Sequence, residues 1–163
     1  MRISRLTTLG MAGILIGLTS CERSRPVQSA SSPTPAANGG EPSNQPVGKK
    51  MKVTIGSNTF AATLDDTPAA AALKGMLPLT LDMSELNGNE KFFRLPTHLP
   101  TDAANPGTIR AGDLMLWQAD TFVLFYKEFR ASYSYTRLGR IDDPAGLAAA
   151  VGSGGVTVKI EAE

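Results

Sequence analysis

The sequence predicts a mainly β fold: a closed eight-stranded antiparallel barrel with two short helices, built from residues 49–163. Three observations predict it. Apolar–polar alternations of strand length recur through this segment, separated by turn residues at hairpin spacing. Two adjacent runs, Leu114–Trp117 and Thr121–Tyr126, are apolar on both faces, the mark of the most buried strands of a closed sheet. The helical patterns do not alternate with the strands, which argues against a doubly wound parallel sheet. Closure would also remove the edges that short strands otherwise expose.

The elements follow in order. Met51–Ile55 alternates as a half-buried strand, Gly56-Ser57-Asn58 turns, and Thr59–Leu64 returns. Asp66-Thr67-Pro68 opens a helix, with Thr67 as cap and Pro68 at the first position, where a missing N–H costs nothing. Ala69, Ala72, Leu73, Met76 and Leu77 share one face, and Pro78 ends the helix. Leu79–Met83 is the next strand. Asn87-Gly88 is a hairpin signal because both residues tolerate positive φ, and Lys91–Leu95 returns. Pro96–Gly107, with three prolines, is an irregular loop. The two continuous apolar strands come next, joined by Gln118-Ala119-Asp120, and Tyr133–Leu138 re-enters as a strand. Asp143 and Pro144 are expected to cap and start a second helix, carrying Leu147 and Val151 inward until Gly152 stops it. Val156–Glu161 is the last strand. The acidic pairs Asp65-Asp66 and Asp142-Asp143 read as helix-capping groups.

The first 48 residues carry other signals. Arg2 and Arg5 precede an uncharged run from Leu6 to Leu18, about 13 residues and too short for a spanning helix of roughly 20. It ends in Leu18-Thr19-Ser20-Cys21, which resembles the lipobox of bacterial lipoproteins, with Cys21 as the acylated residue. Residues 1–21 are therefore expected to be a lipoprotein signal peptide. Glu22 after the cysteine leans toward outer-membrane sorting, so the expected location is the periplasmic face of the outer membrane. Residues 22–48 hold Pro26, Pro33, Pro35, Pro42 and Pro46 among small polar residues, a composition unable to offset its ordering entropy. These 27 residues read as a tether, reaching roughly 80 Å when fully extended.

Composition excludes several functions. The chain has 163 residues, 16 Lys and Arg against 15 Asp and Glu, one Cys and one His. From Lys50 onward 11 bases face 13 acids, a balance of −2, so no nucleic-acid partner is expected. One cysteine permits neither an internal disulfide nor a cysteine-rich metal site. His98 is alone among Pro96, Thr97, Leu99 and Pro100, and without a GxSxG turn it is read as a loop histidine rather than a catalytic base. Gly152-Ser153-Gly154-Gly155 follows a helix and precedes a strand, the reverse of a phosphate loop.

A set of ordered motifs resembles the bacterial cyclophilin-like fold domain family. They are Leu77-Pro78-Leu79-Thr80-Leu81, Leu86-Asn87-Gly88-Asn89-Glu90, Asn105-Pro106-Gly107-Thr108-Ile109, Gly112-Asp113-Leu114, Leu124-Phe125-Tyr126-Lys127, Ser132-Tyr133-Ser134-Tyr135-Thr136 and Ile141-Asp142-Asp143. The resemblance implies a small eight-stranded cyclophilin-type barrel without an assigned activity; from this chain's own residues no metal or cofactor is expected. True cyclophilins isomerise X–Pro bonds with an arginine beside an apolar proline pocket. Phe92-Phe93-Arg94-Leu95-Pro96 is the stretch that overlays their signature, which would place Arg94 at the catalytic position, but Phe93 stands where the signature has histidine and its other elements are missing. The expected function is thus a membrane-tethered binding module for a peptide, protein or small ligand; the alternative is a weak peptidyl-prolyl isomerase using Arg94. The ligand-binding candidates are Phe93, Trp117, Tyr126, Arg130, Tyr133, Tyr135 and Arg137, since Tyr, Trp and Arg are favoured at binding hot spots.

Overall fold

The computed structural model describes residues 49–163, so the signal segment, Cys21 and the tether lie outside the described residues. The chain forms β1 (Lys50–Ile55), β2 (Asn58–Leu64), α1 (Pro68–Gly75), β3 (Leu79–Leu86), β4 (Glu90–Arg94), β5 (Thr108–Ile109), β6 (Asp113–Trp117), β7 (Thr121–Phe125), β8 (Phe129–Arg130), β9 (Thr136–Ile141), α2 (Leu147–Val151) and β10 (Val156–Ala162). Eight strands close a barrel in the order β1-β10-β3-β4-β7-β6-β9-β2, and β5 pairs with β8 in a separate two-stranded sheet. Every barrel pairing is antiparallel, including the β1–β2 hairpin.

Local chemistry explains the elements. Thr67 is extended and its Oγ1 accepts a hydrogen bond from the Ala70 N–H, capping α1. The β3–β4 hairpin turns through Asn87 and Gly88, both at positive φ, and the Gly88 N–H donates to Glu85 Oε1 at 2.8 Å. Period-two alternation sends Met51, Val53, Ile55, Leu81, Met83, Leu114, Leu116, Phe122, Leu124, Val158 and Ile160 to one continuous core. Ala69, Ala70 and Leu73 of α1 and Leu147 and Val151 of α2 join the same core, as expected of helices that plug the barrel.

The strands β6 and β7 are buried on both faces for a specific reason. Their second face carries Met115, Val123 and Phe125, which pack with Ile109, Tyr135 and Phe129 outside the barrel. The β5–β8 pair lies over this face as a flap. Burying Ile109 and Phe125 there contributes roughly 2 kcal/mol each. That holds a flap whose own ladder is only two residue pairs long.

Closure also demands one close backbone approach. The β6–β9 register shifts between Leu114 and Met115, and Gly139 passes so near β2 that a Cβ there would lie 2.3 Å from the Thr63 carbonyl oxygen.

Three expectations are corrected. The strand read from Tyr133 begins at Thr136, because Tyr135 is held outside it by a bridge to Ala104. The helix α2 starts at Leu147 with Gly146 as its cap residue, while the Asp143 carboxylate accepts the Ala145 N–H in a turn ahead of it. The acidic pairs do not cap helices. Asp65 pairs with Arg137, Asp66 with Lys49, and Asp142 accepts from Lys50 and Thr63, so these carboxylates tie distant segments together.

Candidate functional site

Alternation in β4 sends successive residues to opposite sides of the barrel wall. Glu90, Phe92 and Arg94 face outward, while Lys91 is fully buried and Phe93 packs against the barrel core. Registration across the sheet builds rows on the outer face: Glu90 beside Phe125, Phe92 beside Val123 and Met115, Arg94 beside Thr121 and Trp117. The flap and the segment from Ser132 to Tyr135 stand opposite, and the β3–β4 hairpin closes one side. Between them is a cavity of about 570 Å³, a volume in the range of small-ligand sites.

The floor is apolar, from Phe92 and Val123. The rim is aromatic. Among the described residues the large hydrophobic side chains left exposed are Leu86 at 42%, Trp117 at 39% and Tyr133 at 65%, and all three line this cavity. Tyr135 stacks edge-on against Phe125, centroids 5.5 Å apart, and burial, then the charge of Glu90, pushes its hydroxyl up to about 12.

Arg94 stands at the edge. Its Nε donates to Asp120 Oδ2 at 2.9 Å, and His98 Nε2 lies 3.6 Å from the same oxygen. The hydrogen bond from Arg94, aided by one from Thr121, holds the Asp120 carboxyl below the usual carboxylate range. The interaction leaves the Arg94 side chain 73% exposed.

Glu90 is the electrostatic outlier. The residue is 7% exposed, yet its carboxyl makes no hydrogen bond or ion pair among the described residues. Burial, with the neighbouring charge of Glu85, pushes it up to about 7. Beside it, the buried Asn89 Oδ1 also lacks a partner among the described residues.

The structure therefore gathers Arg94, Trp117, Arg130, Tyr133 and Tyr135 around one cavity. It sets three other sequence candidates apart. Phe93 and Tyr126 belong to the barrel core, the Tyr126 hydroxyl donating to Glu85 at 2.9 Å, and Arg137 donates to Asp65 at 3.2 Å. Sequence reasoning missed Glu90, Phe92 and Phe129. The signal for the first two was present: in a returning strand, Glu90, Phe92 and Arg94 share a face that Phe93 cannot join. No group of three or more potential metal ligands occurs among the described residues.

The sequence profile of the Cyclophilin-like family matches residues 53–161. The chain belongs to that family. The cavity thus lies on the outer wall of a cyclophilin-like barrel, and every residue named around it falls within the matched span. The solution structure of a hypothetical protein from Archaeoglobus fulgidus is similar in fold, with a TM-score of 0.50 at 17% identity, covering 73% of this chain and 98% of that one. No curated protein matches the chain.

Proposed function

We propose that this cyclophilin-like domain is a binding module that holds a peptide, protein segment or small ligand in its outer cavity, anchored to the envelope by lipid on Cys21 and held out by residues 22–48. The observation that carries the reading is the convergence of Leu86, Trp117 and Tyr133 on one apolar-floored cavity, since exposed apolar side chains clustered at a concavity mark contact surfaces. Trp117 is the chain's single tryptophan, so its fluorescence reports on the site directly. Titration with a panel of short peptides and small aromatic compounds should give a saturable fluorescence change, weakened at least tenfold by Tyr133→Ala. A flat response to the whole panel would remove the reading.

A second reading rests on Arg94. Its Nε is committed to Asp120, which orients the guanidinium at the margin of an apolar floor, a disposition suited to polarising an X–Pro amide. If the domain is an isomerase, it accelerates cis–trans exchange of an X–Pro peptide and Arg94→Ala abolishes that acceleration. The binding reading expects no acceleration from either protein. The anchor is tested separately: Cys21→Ser should abolish incorporation of labelled palmitate.

A further inference from the structure

We infer that Glu90 selects the ligand of this cavity, taking the protonated nitrogen of an organic cation, an ammonium or guanidinium group carried on an apolar body. The inference rests on the reading of the cavity as a binding site and names the chemistry it accepts.

Three observations converge on it. The first is the isolation of a buried acid. The other buried carboxylates are satisfied: Asp113 accepts from the Arg110 N–H, and Asp120 accepts from Arg94 and Thr121. Glu90 alone among them faces a cavity without a partner among the described residues. The carboxylate meets solvent only through the cavity and has no cation beside it, and a ligand cation is the group that would compensate it there. The second is the disposition of the protein's own cations. Lys91 points away from the cavity and pairs with Glu85 on its own side of the wall, and the Arg94 Nε is engaged by Asp120. Arg130 on β8 lines the same cavity but forms no ion pair with Glu90. The third is the wall itself. Phe92, Trp117, Phe129, Tyr133 and Tyr135 line the space, and aromatic side chains attract organic cations once water is displaced.

Charge on Glu90 should then govern affinity. The groups around it are Glu85 on β3, Arg94 on β4, Arg130 on β8, Tyr126 after β7 and Tyr135 before β9. Glu85 raises it, and Glu90 in turn raises both tyrosines. Its carboxyl loses its proton at about pH 7, so an organic cation should bind better above that pH than below.

The test uses the purified full chain and three near-isosteric probes: phenethylammonium, the neutral phenethyl alcohol and the anionic 3-phenylpropionate. Trp117 fluorescence gives each dissociation constant at pH 6 and pH 8. The expected result is at least tenfold tighter binding of the ammonium than the alcohol at pH 8, and a smaller preference at pH 6. Glu90→Gln should lose the preference for the ammonium over the alcohol and lose its pH dependence. Equal binding of ammonium and alcohol, tighter binding of the anion, or a preference that survives Glu90→Gln would each overturn the role of Glu90 while leaving the cavity a ligand site. Failure of all three probes to bind would overturn the role of Glu90 together with the binding reading. A cooperative melting transition no lower than that of the unmutated chain confirms that the variant is folded.

Discussion

Glu90 and Lys91 are neighbours in β4 and face opposite sides of the same barrel wall. Inside, Lys91 is completely buried, and its ammonium is saturated: it donates to the Gly152 and Gly154 carbonyls at 2.9 and 2.6 Å, pairs with Glu85, and lies 5.3 Å from the Tyr126 ring centroid. Outside, Glu90 is nearly as buried and has none of this. The glycine-rich stretch after α2 supplies these carbonyls and cradles the lysine. The contrast separates two uses of a buried charge. Where every lone pair and proton is matched, the charge locks strands β3 and β4 to the end of α2. Where the match is withheld next to a cavity, the protein carries an instability that a ligand can relieve.

The comparison can be broken hardest from the inside. Lys91→Met would leave two glycine carbonyls without their donor and Glu85 without its ionic partner, with only the Gly88 N–H and the Tyr126 hydroxyl still donating to it. Burial pushes Glu85 up, and hydrogen bonds from Lys91 and Tyr126 outweigh it to hold its carboxyl below the usual range. We expect a loss of about 3–5 kcal/mol in urea unfolding at pH 7. A loss under about 1 kcal/mol would mean that the lysine is no better placed than the glutamate.

The wall that separates the two faces depends on closure at Gly139. Gly139→Ala drives a Cβ into the Thr63 carbonyl and Leu64 Cα. Overpacking against backbone should cost roughly 2–3 kcal/mol, measurable as a lowered melting temperature with an altered β2–β9 pairing. An unchanged melting temperature would show that the barrel seam tolerates separation.

The opposite sign is expected outside. Below its unfolded pKa near 4.5, Glu90 is protonated in both states and costs nothing. Between that and about 7 the unfolded chain ionises first, so stability falls as pH rises, and the penalty is complete above about 7. Glu90→Gln removes it. The variant should match the native chain at pH 4 and exceed it at pH 8 by about 1–3 kcal/mol. A glutamine that destabilises at pH 8 would show that the carboxylate already has a partner.

The barrel itself was legible because its signals are local or periodic. Asn87-Gly88 needs positive φ, Thr67-Pro68 makes a cap, and Leu114–Trp117 and Phe122–Phe125 have no polar face. The flap was not legible. Strands of two residues have no period, and Phe129-Arg130 is too short to alternate, so the reason for double burial of β6 and β7 stayed hidden although its effect on composition was plain. The acidic pairs misled because proximity to proline resembles a cap, whereas Asp65 and Asp142 act across 72 and 92 residues of sequence, on Arg137 and Lys50. The cavity was half legible: Arg94, Trp117 and the tyrosines are conspicuous by type. Glu90 is not, because an acid beside a hairpin turn looks solvated until the wall opposite it is known.

The flap has one more consequence. The back of the cavity is made of barrel strands hydrogen-bonded along both edges, whereas its front is joined by the Thr108–Arg130 and Ile109–Phe129 pairings of a separate sheet. Lifting the front breaks no rung of the barrel. On the proposed binding reading, admitting a bulky guest and denaturing the barrel would be distinct events: a small local opening at the doorway leaves the room behind it in shape.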